Sequence, residues 1–283
     1  MNKFSTLTLF SILSTLVAYG QLNNRPDQKD DPYDTKTCGL FGLNYLSDNV
    51  YLGRKDTITI PYYSPYIGYH HSSGIYAKGM ASYTTAGSGG HIDVATLEAG
   101  YEHSFEKNID LSLNADRYFY NKNSVSIRAN MVASTSADIQ FTNKILEPGL
   151  AAELNFNKNS KDIALGAYLD HEFDFADGTL YLYPTATVYG GTSNYYDEYF
   201  VNRLNKKDKT LKLKHVVSNA SQFKMMEYEF SCRATLRAGH WLFLLKPTFA
   251  IPLNPATVVL PKRNVTETLT NTFFLELDIC YRS

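Results

Sequence analysis

Residues 109–119 read IDLSLNADRYF. Ile109, Leu111, Leu113, Ala115 and Phe119 are apolar, and Asp110, Ser112, Asn114 and Asp116 are polar. A β-strand points successive side chains to opposite faces, so this stretch has one apolar face and one wet face. The same alternation recurs on both sides of it. Val125, Ile127, Ala129, Met131 and Ala133 alternate with Ser126, Arg128 and Asn130, and Leu150, Ala152, Leu154 and Phe156 alternate with Glu153 and Asn155. Ile163, Leu165, Ala167, Leu169 and Phe173 alternate with Asp162, Asp170, Glu172 and Asp174. Tyr228, Phe230, Cys232, Ala234 and Leu236 alternate with Glu227, Glu229, Arg233 and Arg237, and Leu275, Leu277, Ile279 and Tyr281 with Glu276, Asp278, Cys280 and Arg282.

Turn chemistry separates these runs: His71-Ser72-Ser73-Gly74, Gly87-Ser88-Gly89-Gly90, Asn121-Lys122-Asn123, Asn157-Lys158-Asn159-Ser160 and Asp177-Gly178. The pattern predicts twelve strands over 40–53, 57–70, 74–86, 91–105, 108–120, 124–135, 146–157, 161–175, 178–193, 223–239, 241–253 and 272–282. Soluble strands usually run to about five or six residues. These are longer, and suit the roughly 9–11 residues with which a tilted strand crosses a bilayer.

Composition agrees. The chain has 283 residues, 27 Lys+Arg against 28 Asp+Glu and a formal net charge of -1. No basic excess supports nucleic-acid binding. With 44% hydrophobic residues it is not a disordered chain. Three cysteines cannot make a disulfide scaffold. Residues 1–20, MNKFSTLTLFSILSTLVAYG, read as a signal peptide: Lys3, an apolar stretch too short to span as a helix, then small-x-small at Ala18-Tyr19-Gly20. Residues 21–37 are polar and read as a flexible periplasmic leader, which leaves 38–283 for the folded domain.

Alternating strands fit a soluble all-β binding protein with its apolar face inward, or a transmembrane barrel with that face toward lipid. Aromatics at strand ends (Tyr101, Phe105, Phe173, Phe175, Trp241, Phe243) and a closing strand that ends on Tyr281 favour the barrel. So does loop length. With both chain ends in the periplasm, the turns near 71–73, 106–107, 136–145, 176–177 and 240 lie on that side, and the two longest connections, 194–222 and 254–271, lie outside.

The fold class expected is therefore all-β, a single antiparallel transmembrane barrel of 12 strands. In these features the chain resembles bacterial outer-membrane β-barrels of uncharacterised families. The resemblance is carried by the signal peptide, the alternating hairpins, the terminal LELDICYRS, and the stretch Leu43 to Arg54 leading into YHHSSGIYAKGMASY. It implies the cell outer membrane, with lipid, lipopolysaccharide and the barrel assembly machinery as partners, and no defined activity.

If lipid covers the apolar set, the lumen receives the other set. That set comprises Lys78, Glu98, Glu102, Asp110, Asp116, Arg128, Glu153, Asp170, Glu172, Asp174, Glu227, Glu229, Arg233, Arg237, Lys246, Glu276, Asp278 and Arg282. Acids outnumber bases two to one, so a pore would favour cationic and neutral small solutes; paired across a narrow barrel, the same charges would close it. Tyr181, Tyr183 and Tyr189, if inward, form a stacking rail or simply fill space. Lys206, Lys207, Lys209, Lys212 and Lys214 are a surface charge run that anionic lipopolysaccharide would attract.

No catalytic, metal or cofactor motif emerges. A lipid hydrolase needs a Ser–His pair beside the outer leaflet. His70-His71-Ser72-Ser73 and His103-Ser104 fall at the periplasmic end, and His91 near Ser88 lacks the spacing. Adjacent His70 and His71 face opposite sides of a strand. Cys38 and Cys280, both inward and near one rim, occupy the places a barrel-sealing disulfide would use. The functional expectation is a narrow pore for passive transport or a structural envelope protein, without covalent chemistry. Outer-membrane lipid hydrolase and soluble binding protein are the alternatives.

Overall fold

The computed structural model describes Thr37 to Ser283 except positions 88, 106, 107, 144, 177, 211, 261 and 262. The expected signal peptide and almost all of the expected leader lie outside the described residues. Fifteen strands and one helix follow in order: β1 (Cys38–Leu46), β2 (Tyr62–His70), β3 (Ile75–Thr84), β4 (His91–Phe105), β5 (Ile109–Tyr120), β6 (Met131–Phe141), β7 (Glu147–Asn157), β8 (Lys161–Asp170), β9 (Phe173–Phe175), β10 (Leu180–Gly191), α1 (Asn194–Lys207), β11 (Lys224–Ala238), β12 (Trp241–Pro252), β13 (Thr257–Leu260), β14 (Arg263–Thr266) and β15 (Thr272–Arg282).

Twelve of these strands pair antiparallel with their neighbours, and β1 pairs with β15 to close the ring. β9 pairs with the start of β10 at one rim, continuing the line of β8 past a break at 171–172 in the expected strand 161–175, and β13–β14 is a separate hairpin. Closure leaves the wall no open edge, which a sheet in lipid requires because nothing there can satisfy a free N–H or C=O. The outer surface is apolar: Ile67, Leu97, Leu113, Leu150, Leu165, Phe230, Leu245 and Ile279 are all exposed. Exposed aromatics gather at both ends, with Tyr69, Phe105, Phe141 and Trp241 at the short-turn end and Tyr63, Tyr83, Phe119 and Phe273 at the other. The inner surface carries the charges. This inside-out distribution is that of a transmembrane barrel, and it excludes the soluble alternative.

The largest differences from the sequence expectation lie at 47–61 and 121–146. The expected strands 40–53 and 57–70 stop at Leu46 and start at Tyr62, leaving a connection over 47–61. Asp48 folds it back by accepting the Ile60 N–H at 2.9 Å and pairing with Lys55 at 2.7 Å. Its tip is a two-residue turn, with Tyr51 and Arg54 exchanging backbone hydrogen bonds and both Leu52 (φ 47°) and Gly53 (φ 72°) left-handed. The expected strand 124–135 is instead β6, over 131–141. Residues 121–130 are successive turns, with Ser124 N–H donating to Asn121 O, Ala129 to Ser126 O and Met131 to Arg128 O. The long periplasmic turn expected at 136–145 shrinks accordingly to 142–146. The 194–222 connection contains α1.

The cysteine expectation fails on register. Cys280 lies opposite Gly42, four residues along β1 from Cys38, or about 13 Å at 3.3 Å per residue. That exceeds the Cα separation a disulfide spans, and no disulfide joins the two.

A repeated device lines the inner wall. Tyr66 lies opposite Gly42, Tyr76 opposite Gly100, Tyr168 opposite Gly149 and Tyr189 opposite Gly166, each ring lying against its glycine on the next strand. Two of the rings reach a strand beyond, where Tyr66 donates to Asp278 at 2.9 Å and Tyr168 to Asp138 at 2.8 Å. A glycine there lets a large ring lie flat against the wall. A Cβ on Gly149 would sit 2.0 Å from the Tyr168 ring. Gly149→Val is therefore expected to destabilise the barrel by about 1–3 kcal/mol or more, read as a lower urea midpoint for the heat-modifiable folded band on gels.

Candidate functional site

Alternation delivers most of the expected lumen set. Lys78, Glu98, Glu102, Asp110, Asp116, Asp170, Glu227, Glu229, Arg233, Lys246, Glu276, Asp278 and Arg282 are buried on the inner side, and Glu153 and Arg237 are half-buried there. Arg128 is buried too, but projects from the 121–130 connection rather than a strand. Glu172 lies just past β8 and accepts from Tyr183 at 3.1 Å. Asp174 is the exception: it sits on β9, exposed, accepting the Gly178 N–H. The sequence reading omitted Asp138, Glu147 and Asp162, which are also buried and inward.

The charges are unevenly placed. Strands β4 to β8 carry Asp93, Glu98, Glu102, Asp110, Asp116, Asp138, Glu147, Glu153, Asp162 and Asp170 inward and, among the described residues, no inward Lys or Arg. The bases sit on the other wall: Arg233 and Arg237 on β11, Lys246 on β12, Arg282 on β15 and Lys78 on β3. Lys78 is committed to Glu98 at 2.7 Å. Arg233 and Arg237 stack on the inward rings of Tyr183 and Tyr181 at 4.4 and 4.7 Å. Glu147 and Asp170 are direct cross-strand partners, and Gln140 donates to Asp170 at 3.3 Å.

The end with the long connections is narrowed by 47–61, most of which alternation assigns to the expected strands 40–53 and 57–70. Asn49, Val50, Tyr51, Leu52 and Arg54 are all buried. On one side, the Tyr51 ring lies under the Arg128 guanidinium at 4.3 Å, its hydroxyl donates to Glu153 at 3.2 Å, and Asn155 donates to that hydroxyl at 2.7 Å. On the other side, Gly53 packs against Pro252 and Glu227, and Arg54 donates to the carbonyls of Leu253 and Asn254 at 3.2 and 2.7 Å. The turn thus reaches from β7 to β11 and β12.

α1 lies over the same end. Its N-cap residue, Ser193, makes no side-chain cap. Asp162 of β8 supplies it instead, accepting the N–H groups of Asn194 at 2.7 Å and Tyr195 at 2.8 Å. Burial and nearby Glu267 hold the Tyr196 phenol well above its usual range, so it remains a hydrogen-bond donor to Glu267 at 2.7 Å. Asp162→Ala is expected to cost α1 about 1–3 kcal/mol. Faster tryptic cleavage at Arg203, Lys206 and Lys207 in folded protein would register it.

The Ser–His candidates do not assemble. His71 meets Ser73 at 2.9 Å within the exposed β2–β3 turn, at the short-turn end. His91 contacts Gly89 O and Asp93 rather than a serine, and Ser88 lies outside the described residues. His103 packs its ring against Tyr101 and Phe105.

No protein-family model matches the chain. A search of curated proteins finds no match either. Among solved structures the chain is similar to a KdgM porin, with 6% identity, a TM-score of 0.48, and coverage of 86% of this chain and 98% of that one. It is also similar to LpxR from Salmonella typhimurium, at 11% identity and a TM-score of 0.45, covering 86% and 99% of the two chains. A third likeness, to OmpF of Salmonella typhi in complex with daunomycin, has 8% identity and a TM-score of 0.33, covering 88% and 97%. These likenesses concern barrel architecture.

Proposed function

We propose that this protein is a narrow outer-membrane channel for small cationic or neutral solutes, with no covalent step. The long-loop end faces outward in this reading, and segment 47–61 sets the narrowest passage. The observation that carries it is the carboxylate wall of β4 to β8, since a lumen lined by carboxylates with few bases beside them favours cations over anions. The tyrosines lying flat over glycines support it, because rings laid along the wall take less of the lumen than rings pointing at its axis. The exposed lysines at and beyond the end of α1, Lys206, Lys207, Lys209, Lys212 and Lys214, would then face anionic headgroups of the outer leaflet.

The anchoring of 47–61 on both walls favours a second reading, a structural barrel closed at its outer mouth. Planar-bilayer recording of refolded protein in a KCl gradient separates the two. A channel gives steady conductance with a reversal potential on the cation-selective side. A correctly folded but silent barrel sinks the channel reading and leaves the structural one.

A further inference from the structure

We propose that the outer face carries a binding site for a small, uncharged, largely apolar molecule bearing a hydroxyl group, with an aromatic alcohol as the model ligand. The site is a cavity of about 480 Å³, within the range of pockets that hold small ligands. Three separate segments build it. α1 supplies Tyr196, Phe200 and Leu204, which at spacings of four lie on one helix face. The β13–β14 hairpin supplies Val258, Leu260 and Val265, and the second arm of the 47–61 connection forms the third wall. Sequence alternation assigned no role to the α1 and hairpin walls, and the third wall belongs to the segment proposed to set the passage.

The polar end selects the ligand. Four charged residues line the cavity: Lys55 is turned to Asp48 at 2.7 Å, Asp56 pairs with Arg203 at 3.2 Å, and Arg54 and Glu267 form an ion pair at 3.5 Å in which the Arg54 side chain is 2% exposed and Glu267 16%. Arg54 spends its terminal nitrogens on the Leu52, Leu253 and Asn254 carbonyls. Glu267 already accepts the Tyr196 hydroxyl at 2.7 Å and the Ala256 N–H at 3.0 Å, so a ligand meets the remaining lone pairs of a carboxylate whose charge is balanced from behind. A hydrogen-bond donor suits that edge and an anion does not. The Arg54 charge behind it likewise removes the reason to prefer a cation. Thr57, Thr268 and Thr270 add hydroxyls to the same lining. An apolar body with one O–H matches both ends.

This site does not rest on conduction and is tested separately from it. Equilibrium dialysis of 2-naphthol against the full barrel in lipid nanodiscs, corrected with empty nanodiscs, is expected to show one saturable site. Naphthalene, which lacks the donor, should bind about three- to tenfold more weakly, and 2-naphthoate at least about tenfold more weakly. Leu204→Trp fills the cavity from the helix side and should abolish saturable uptake while the protein keeps its heat-modifiable migration. Val265→Trp does the same from the hairpin and serves if the first variant misfolds. Uptake that never saturates, that survives both tryptophans, or that is equal for 2-naphthoate overturns the proposal.

Discussion

Replacing the turn Val50 to Lys55 by a short Gly-Ser link should raise single-channel conductance severalfold and leave the barrel folded. The turn is held by two independent sets of contacts, so removing it whole is cleaner than cutting one set. Gly53→Val is the single-residue version. Gly53 has φ 72°, a region that costs an L-residue with a side chain about 1–2 kcal/mol. A Cβ there would also lie 2.8 Å from Pro252 Cβ and 2.9 Å from its Cα. Neither problem can be relieved by a rotamer change, because the clash is with the wall itself. The turn must withdraw from β11 and β12. Tyr51→Ala tests the opposite attachment, since it frees the Arg128 guanidinium from its ring contact and removes the hydroxyl shared by Glu153 and Asn155. Conductance unchanged by the full replacement would show that 47–61 does not set the passage. Deletion of the same turn from a silent barrel, if it produced conductance, would identify the turn as its plug.

The reason this segment escaped the sequence reading is physical. Asn49 to Arg54 alternates as a strand does, but alternation records only that successive side chains see different surroundings. Val50 and Leu52 are apolar because they pack inside the mouth, where lipid never reaches. The same ambiguity misplaced β6. Ile127 and Met131, read as lipid-facing, are each 1% exposed and packed inward. The shift of that strand also hid Asp138, which lies beyond the expected end at 135. By contrast, Ile109 to Phe119 has lipid on one side and lumen on the other along its length, so its period reports the wall faithfully. The tyrosine–glycine pairs were visible as residue types but not as pairs, because register between neighbouring strands is not written in either strand alone. The cysteines fell to the same gap: their faces were legible and their stagger was not. The cavity between α1 and the hairpin needed three segments distant in sequence, and no period links them.

The largest effect on ion preference should come from neutralising the carboxylates that face the short-turn half of the lumen: Glu102→Gln, Asp110→Asn, Glu147→Gln and Asp170→Asn together. Glu98 is left alone because Lys78 pairs with it at 2.7 Å, and removing one partner of a buried pair strands the other. At about 8 Å in a water-like medium each carboxylate attracts a monovalent cation by about 0.5 kcal/mol. Four give about 2 kcal/mol before screening. With a Debye length of about 10 Å at 0.1 M salt, roughly half of that survives. The cation preference should therefore fall by about fivefold. Glu227, Glu229, Glu276 and Asp278 remain on the facing wall beside Arg233, Arg237, Lys246 and Arg282, so the reversal potential should move toward zero without changing sign. The change should also shrink as salt rises, because the effect is a screened field and not a change of bore. Conductance that drops without any movement of the reversal potential would mean the four residues hold the wall in shape rather than set its field. A fully folded quadruple variant with unaltered selectivity would remove the carboxylate wall as the basis of ion choice.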